Sequence, residues 1–384
     1  MTELNLPFAF YVVAASILGL LIGSFLNVVI HRVPLGDSIV FPGSHCPACG
    51  AGVRAYDNIP LLSFALLKGR CRNCSKRISW RYPLVELLTA AVFALIVFKN
   101  GANWEALLEM VFASVMLSLV FIDAIHHLLP NVITYPAMAF AMAAATARAG
   151  WGEPHVGGME VSVILPTLVP VFTPWKAAIF GGALLALAVP SFRLIDRLDL
   201  ILYNKYFDWQ DSDEEGEAGI ENTVDAVAEP EPLEPIDEAA EAAAEIRYQR
   251  TIRAGVLLGL LIAVTWAGLC VTVSAKHPQA FSQAYRGLWG AFAGAVVGSM
   301  PIWWLRAIYF LVRGIEGMGL GDVKLMAIVG AFLGWQGAFG VLLFGSIVGS
   351  IIGAFLAWRS KSGVRTAMPF GVCLGAVAVI VMMA

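Results

Sequence analysis

Long apolar segments recur along the whole chain and restrict its fold more than any other feature. A helix that crosses a bilayer needs about 20 largely apolar residues, and nine segments approach or exceed that length. They lie at 8–30, 83–98, 105–124, 131–148, 177–192, 253–273, 286–312, 336–357 and 366–384, with a shorter apolar stretch at 323–334. Because lipid offers the backbone no hydrogen-bond partners, each segment is predicted to be an α-helix. The sequence predicts an all-α polytopic membrane protein with about 8–10 transmembrane segments.

The low charge content excludes an ordinary soluble protein. Only 14% of the residues are charged, whereas soluble domains contain about 25%, and the mean hydropathy is +0.75. The first residues, MTELNLPFAFYVV, contain no basic residue. We therefore expect residues 1–30 to be a first membrane anchor and not a cleaved signal peptide.

The acidic residues are concentrated in one segment. Residues 208–245 contain 15 Asp and Glu and no Lys or Arg, while the remainder contains 13 acidic and 25 basic residues. This composition predicts a disordered acidic linker that serves as a solvated spacer. A role in attracting basic peptides is the alternative.

The loop at 31–82 indicates the orientation in the membrane. It contains eight Lys and Arg residues against Asp37 and Asp57. Because basic loops remain in the cytoplasm, we expect this loop to be cytoplasmic and the N-terminus to lie outside. Ten crossings, including the short stretch at 323–334, would place the C-terminus outside as well.

Two C-x-x-C pairs lie in this loop. Cys46 and Cys49 form the first pair, and Cys71 and Cys74 form the second, with 21 residues between the pairs. Two such pairs meeting would provide the four thiolates of a structural zinc site, with Gly50 assisting the first turn. Disulfides or a redox dithiol are the alternatives. The remaining cysteines, Cys270 and Cys373, are expected to be packing residues.

Two aspartates are expected at the same membrane boundary. Asp123 ends one apolar segment, before Pro130, and Asp322 begins the stretch after the motif GMGLGDVK at 317–324. The predicted helix directions place both carboxylates at the cytoplasmic face. Two adjacent carboxylates share one proton and hydrolyse a peptide bond with water as the nucleophile. His126 and His127, close in sequence to Asp123, are expected to be polar residues at the interface.

The glycines of the motif are interpreted as an opening for substrate. Gly317, Gly319 and Gly321 can take positive φ and let another backbone approach closely, which an extended substrate peptide would need near Asp322. The alternative is a flexible loop with a helix-capping aspartate. Lys324 would either offset charge near the aspartates or extend to the lipid headgroups, and the second interpretation is favoured.

Several segments carry a resemblance to one family. They are GSFLNVVIHRVP (23–34), SHCPACG (44–50), YDNIPLLSFALLKGRCRNC (56–74), ISWRYPLVELLT (78–89), DAIHHLLPNVIT (123–134), GMGLGDVKLMAIVGAFLGW (317–335) and MPFG (368–371). Together the sequence resembles the bacterial type IV prepilin peptidases, GxGD-type membrane aspartic peptidases, over about 1–149 and 286–384. By position, the family's catalytic aspartates fall on Asp123 and Asp322, and its cysteine tetrad falls on Cys46, Cys49, Cys71 and Cys74.

The resemblance implies two activities in the bacterial cytoplasmic (inner) membrane. One cleaves the basic leader of type IV prepilins and type II secretion pseudopilins at the cytoplasmic face. The other methylates the new N-terminal residue with S-adenosylmethionine. No glycine-rich nucleotide motif follows a strand, so the residues that bind the methyl donor are unknown. Alternatives are a peptidase without methyl transfer, an ion- or proton-coupled transporter and a non-catalytic scaffold. The bilayer and prepilins are the expected partners, and nucleic acid is not.

The expected organisation has five parts. A first helix (1–30) precedes the cytoplasmic cysteine-rich domain (31–82), which the resemblance associates with zinc and methylation. The peptidase region is divided into 83–149, with the first aspartate, and 286–384, with the GxGD motif. Residues 150–285 are interpreted as an insert that adds two apolar segments and the acidic linker.

Overall fold

The described part of the chain consists of helices and irregular segments. The computed structural model describes residues 7–151, 278–313, 319–359 and 370–384, and these contain no β-strand longer than an isolated bridge. Their α-helices are α1 (Phe8–Arg32), α2 (Leu62–Leu66), α3 (Arg81–Asn100), α4 (Trp104–His126), α5 (Asn131–Trp151), α6 (Pro278–Arg313), α7 (Leu320–Arg359) and α8 (Phe370–Met383). The segments predicted at 177–192 and 253–273, the acidic linker and Cys270 lie outside the described residues.

Five of these helices are long and apolar enough to cross a membrane. They comprise α1, α3, α4, Arg286–Phe310 within α6 and Leu320–Phe355 within α7. Helix α5 covers the apolar segment predicted at 131–148, and α8 is a shorter apolar helix in the segment predicted at 366–384. The prediction of an all-helical, multi-pass membrane protein is confirmed for the described residues.

Helix α7 is broken at Gly334. This residue has φ 75° and ψ 175° inside an otherwise helical segment, a conformation that is essentially restricted to glycine. The fourteen residues before the break extend for about 21 Å, which is less than the thickness of the hydrocarbon core. The sequence prediction of two apolar stretches, 323–334 and 336–357, agrees with the position of this break.

Glycines allow two pairs of helices to pack with their backbones in contact. In α1, a Cβ added at Gly19 would lie 2.6 Å from the Ala90 Cα of α3. Between α6 and α7, a Cβ at Gly294 or at Gly330 would overlap the other residue's carbonyl group. Small residues at such crossings are characteristic of membrane helices. Lipid is itself apolar, so these helices gain little from moving apolar side chains out of it and depend on close packing instead.

The helix order brings the first aspartate to the end of the bundle that carries the cysteine loop. This loop joins α1 to α3, and α3 runs away from it. Only three residues, 101–103, join α3 to α4, so α4 returns towards the loop. The C-terminal end of α4, with Asp123, therefore lies on the loop side.

Candidate functional site

Asp123 lies in the last turn of α4. The helix ends at His126 and is capped by His127, whose φ is 53° and whose backbone N–H donates to the Asp123 carbonyl oxygen at 3.0 Å. The aspartate is only 6% exposed, and the backbone N–H of Val372 donates to its carboxylate. Within the described residues, the other carboxylate oxygen, Oδ2, is buried without a hydrogen-bond partner. The end of α4 thus presents a buried acceptor to α8.

Asp322 lies in the first turn of α7. It is 8% exposed, and its backbone N–H donates to the Gly319 carbonyl oxygen at 3.3 Å. A Cβ at Gly321 would lie 3.0 Å from the Leu129 Cβ, so the connection after α4 packs closely against the motif. This packing places the start of α7 beside the end of α4.

Two of the motif glycines do not use the positive φ that glycine can take. Neither Gly319 nor Gly321 has positive φ, because the chain there already turns into α7 with ordinary backbone angles. The close approach expected at Gly321 does occur, but the approaching residue is Leu129 of the same chain. Gly317 lies outside the described residues.

The two aspartates meet beside Gly371, in the first turn of α8. A Cβ at Gly371 would lie 2.7 Å from Asp123 Oδ2 and 2.9 Å from Asp322 Oδ1. Because both oxygens are so near one point, they lie within about 6 Å of each other, the range in which two carboxylates interact strongly. Carboxylates 199 positions apart in the sequence are therefore neighbours in the structure.

Lys324 points into the helix bundle and not towards lipid headgroups. It is 7% exposed, and its Nζ donates to Asn131 Oδ1 of α5 at 2.9 Å. The same Nζ lies 5.6 Å from the centre of the Tyr135 ring. The favoured interpretation of Lys324 as a headgroup contact is therefore wrong, because a hydrogen bond and an aromatic ring on α5 compensate the buried ammonium.

Each cysteine pair forms the same type of tight turn. In the first, the Cys46 N–H donates to the Ala51 carbonyl oxygen and the Gly50 N–H donates to the Cys46 carbonyl oxygen, both at 2.9 Å. In the second, the bonds from Cys71 to Lys76 and from Ser75 to Cys71 have the same length. Gly50 and Ser75, which follow the second cysteine of each turn, have φ of 68° and 56°. The expected role of Gly50 is confirmed, and Ser75 takes the same conformation.

The two turns bring the four thiols together. The sulfur atoms of Cys46, Cys49, Cys71 and Cys74 all lie within 4.8 Å of one another, and the Cys46 and Cys74 sulfurs are 3.9 Å apart. Four sulfurs at 2.3 Å from one tetrahedral zinc would be about 3.8 Å apart. All four cysteines are free thiols, so the cluster has the composition and dimensions to bind a metal.

Two cysteines of the cluster differ in how readily they form thiolate, the form that binds metal. A backbone hydrogen bond from Ala51 lowers the pKa of Cys49, but desolvation and hydrogen bonds with the other three thiols outweigh it and raise that pKa to about 11. Hydrogen bonds from the backbone N–H groups of Ala48 and Cys49 lower the pKa of the Cys46 thiol to about 6.

The second turn is fixed by Arg72, which donates to both carboxylate oxygens of Asp57 at 2.6 and 2.8 Å. This interaction lowers the pKa of Asp57. The loop is thus stabilised by contacts other than the cysteines.

Comparison with known protein families agrees with both parts of this arrangement. The profile of the Bacterial Peptidase A24 N-terminal domain matches residues 17–100, which include the cysteine turns. The profile of the Type IV leader peptidase family matches residues 249–354, which include Asp322. The chain is thus similar to the type IV leader peptidase family in two separate segments.

Three similar proteins carry the same name. The proteins from Myxococcus xanthus, Neisseria gonorrhoeae and Pseudomonas putida are each called "Prepilin leader peptidase/N-methyltransferase". The first is 47% identical over 38% of this chain and 44% of its own length, and the second is 39% identical over 35% and 56%. The match thus spans about half the length of these two relatives. The third is 25% identical over 96% of this chain and 89% of its own length. No solved structure matches the chain.

Two residues of the site lie outside both profile matches. Asp123 and Gly371 fall outside 17–100 and 249–354, and the three-dimensional arrangement connects them with Asp322. Sequence reasoning identified Asp123 from its position at the end of an apolar segment. It did not predict that Gly371 would face both carboxylates, although MPFG was part of the resemblance, because nothing local shows which side chains face a glycine.

Proposed function

We propose that this chain is an aspartic endopeptidase that removes the basic leader of type IV prepilins and pseudopilins. The observation that supports the proposal is the convergence of Asp123 and Asp322 at Gly371, with both carboxylates buried. The name of the similar proteins, prepilin leader peptidase/N-methyltransferase, supplies the substrate class.

The two carboxylates would act as one unit that holds a single proton. The ionised carboxylate removes a proton from water while the water oxygen bonds to the scissile carbonyl carbon. The protonated carboxylate donates its proton to the carbonyl oxygen. Collapse of the tetrahedral intermediate re-forms the carbonyl, breaks the C–N bond and transfers a proton to the leaving amine. No covalent enzyme intermediate forms, so no nucleophilic side chain is required.

Cys46, Cys49, Cys71 and Cys74 would hold a structural zinc ion within the cysteine-rich domain at 31–82. The sulfur separations fit a tetrahedral site, and four thiolates leave no coordination position for substrate. Bound zinc would supply a cross-link between the two turns of the loop. A loop of about 50 residues has little core of its own, so a metal would contribute much of its folding energy.

We also propose that the chain methylates the new N-terminal amine with S-adenosylmethionine. The support for this second activity is the name shared by the relatives, two of which align with almost the whole chain. The proposed location is the bacterial inner membrane with the peptidase site on the cytoplasmic face. The excess of basic residues in the loop at 31–82 supports that orientation.

Co-expression with a prepilin tests both activities in one measurement. The wild-type chain should remove the leader, and the mass of the product's N-terminal peptide should show one added methyl group. Asp123→Asn and Asp322→Asn should each abolish cleavage, and the double variant should be no worse than either single variant, because the pair acts as a unit. All variants should insert in the membrane normally. Substantial cleavage by either single variant would reject the aspartic mechanism, and a cleaved product without the methyl group would reject the transferase.

A further inference from the structure

Three helix ends meet at the proposed peptidase site, and the third belongs to α8. Asp123 comes from the end of α4 and Asp322 from the start of α7. Helix α8 begins at Phe370, so Gly371 and Val372 lie in its first turn. The Val372 N–H holds the Asp123 carboxylate, and Gly371 faces both carboxylates.

Position 371 has no room for a side chain. A Cβ there would be 2.7 Å from Asp123 Oδ2, 2.9 Å from Asp322 Oδ1 and 3.2 Å from Asp123 Cγ. Such contacts are closer than a Cβ tolerates, so even a methyl group would displace one or both carboxylates. The glycine is required for space and not for backbone conformation, since φ at Gly371 is not positive.

Asp123 Oδ2, the atom nearest to a Cβ added at Gly371, is also an acceptor without a hydrogen-bond partner among the described residues. Asp123 Oδ2 is buried and accepts no hydrogen bond from any described residue, and buried polar atoms are otherwise nearly always bonded. Two oxygens that lie within about 6 Å of each other can both bond to one water molecule, since an O–H···O bond spans about 2.5–3.0 Å. The unpartnered Oδ2 therefore faces the place where the attacking water would be held.

We propose that Gly371 is a positioning residue of the peptidase site. The first turn of α8 lies against both carboxylates. Because Gly371 has no side chain, both carboxylates can approach one water molecule, while the Val372 N–H fixes the orientation of Asp123. This inference rests on the proposed aspartic peptidase function and adds a structural requirement to it.

The test compares two glycine-to-alanine variants that affect the same turn of α8. Gly371→Ala places a methyl group between the carboxylates. Gly349→Ala, on α7, brings a Cβ to 3.3 Å from the Phe370 ring and 3.9 Å from the Cys373 sulfur, with no carboxylate among its nearest atoms. In the purified full chain with a prepilin substrate, Gly371→Ala should lower kcat about 100-fold or more, since small misplacements of reacting groups have effects of that size. KM should change little, because the methyl group does not obstruct the leader. Gly349→Ala should keep kcat within about threefold.

A double-mutant cycle on thermal stability tests the contact without using activity. Gly371→Ala should lower Tm in the wild-type background, and at least half of that loss should disappear in the Asp123→Ala background, where the opposing carboxylate is gone. If Gly371→Ala alone does not fold and the double variant does, the proposed contact is supported. If both fail to fold, or if the Tm loss is equal in both backgrounds, something other than the carboxylate rejects the methyl group and the inference is overturned.

The outcomes also separate this inference from the proposed function. Near-normal kcat for Gly371→Ala, together with inactive Asp123→Asn and Asp322→Asn, would overturn the role of Gly371 and leave the aspartic peptidase intact. Active aspartate variants would overturn the peptidase proposal itself. A rise in KM with unchanged kcat would show that Gly371 contacts the leader and not the reacting centre, which also contradicts the proposal.

Discussion

The buried side chain of Lys324, near the site, depends on contacts with residues of another helix. It lies two positions after Asp322, and its ammonium is buried against α5 with a hydrogen bond to Asn131 and the ring of Tyr135 nearby. A buried charge is stable only where hydrogen bonds and nearby charges or π-systems offset its desolvation. The sequence placed Lys324 next to the motif but could not identify its partner, because Asn131 is 193 positions away and nothing local marks it.

The contact between Lys324 and Asn131 leads to a prediction about stability. Asn131→Ala leaves the ammonium buried without this acceptor and should lower the free energy of unfolding by about 1–3 kcal/mol. Lys324→Met removes the charge and keeps most of the side-chain volume, so its loss should be smaller. In the Lys324→Met background, Asn131→Ala should cost little further stability. Unfolding of the purified chain in detergent measures these differences, and a larger loss for Lys324→Met than for Asn131→Ala would contradict the argument.

At the scale of elements, the break in α7 divides one apolar segment into two helices with different neighbours. The part before Gly334 carries Asp322 and packs Phe332 against Phe112 of α4, with ring centres 4.0 Å apart. Arg148 of α5 donates to the Phe332 carbonyl oxygen at 3.3 Å, close to the point where the helix ends. The sequence predicted two stretches from hydropathy alone. It could not predict that Arg148 would bond to the end of the first one.

Gly334→Ala tests whether the break requires glycine. An alanine at φ 75° and ψ 175° should lower the free energy of unfolding by about 1–3 kcal/mol. Gly340→Ala is the matched control, because Gly340 lies in the same helix with helical φ and has no atom within 4 Å of an added Cβ. That control should be neutral or slightly stabilising. Equal unfolding midpoints for the two variants would show that the break does not depend on glycine.

The cysteine turns are the other element whose form follows from local sequence. The C-x-x-C spacing and Gly50 predicted the first turn correctly. Ser75 gave no such signal in the second, because its left-handed φ of 56° is unusual for serine. The meeting of the two turns was expected on the assumption that both serve one metal, and the cluster of sulfur atoms agrees with it.

Metal analysis of the purified chain should find about one zinc per chain, and Cys71→Ser should lose it. Gly50→Ala should release zinc to a chelator faster than the wild type, because alanine is strained by about 1 kcal/mol in the left-handed region. Ser75→Gly relieves the same strain and should release zinc no faster than the wild type. Release of zinc at the wild-type rate from Gly50→Ala would contradict the role given to this turn. A chain without zinc would reject the metal site.

At the scale of the whole molecule, the described site combines residues from two regions that are far apart in the sequence. Asp123 lies in the first described region, while Asp322 and Gly371 lie in the last two. Counting membrane crossings predicted that the aspartates would share one face, and the structure brings them together. Hydropathy and charge predict on which side of the membrane each residue lies. They carry no information on which helices are neighbours, so the contribution of α8 was not predicted.

We expect the acidic segment to be dispensable for cleavage, because its composition is that of a solvated spacer. Its 15 carboxylates lie at 208–245, outside the described residues. Replacing 210–244 by a short Gly/Ser linker should leave kcat for prepilin cleavage within about twofold at physiological salt. The segment could act on a basic leader only through long-range attraction, which is screened over about 8 Å under those conditions.

Measurements over a range of salt concentrations distinguish the two roles of this segment. If the carboxylates attract the leader, the replacement should lower kcat/KM only at low salt, where the screening length is longer, and the difference from the wild type should vanish as salt rises. A matched variant that keeps the length of 210–244 and replaces its Asp and Glu by Asn and Gln should show the same salt dependence, because charge and not length is responsible. A loss of cleavage that is independent of salt, in a replacement variant that still inserts and binds zinc, would contradict the prediction. Such a result would mean that the acidic segment contributes directly to the proposed peptidase site.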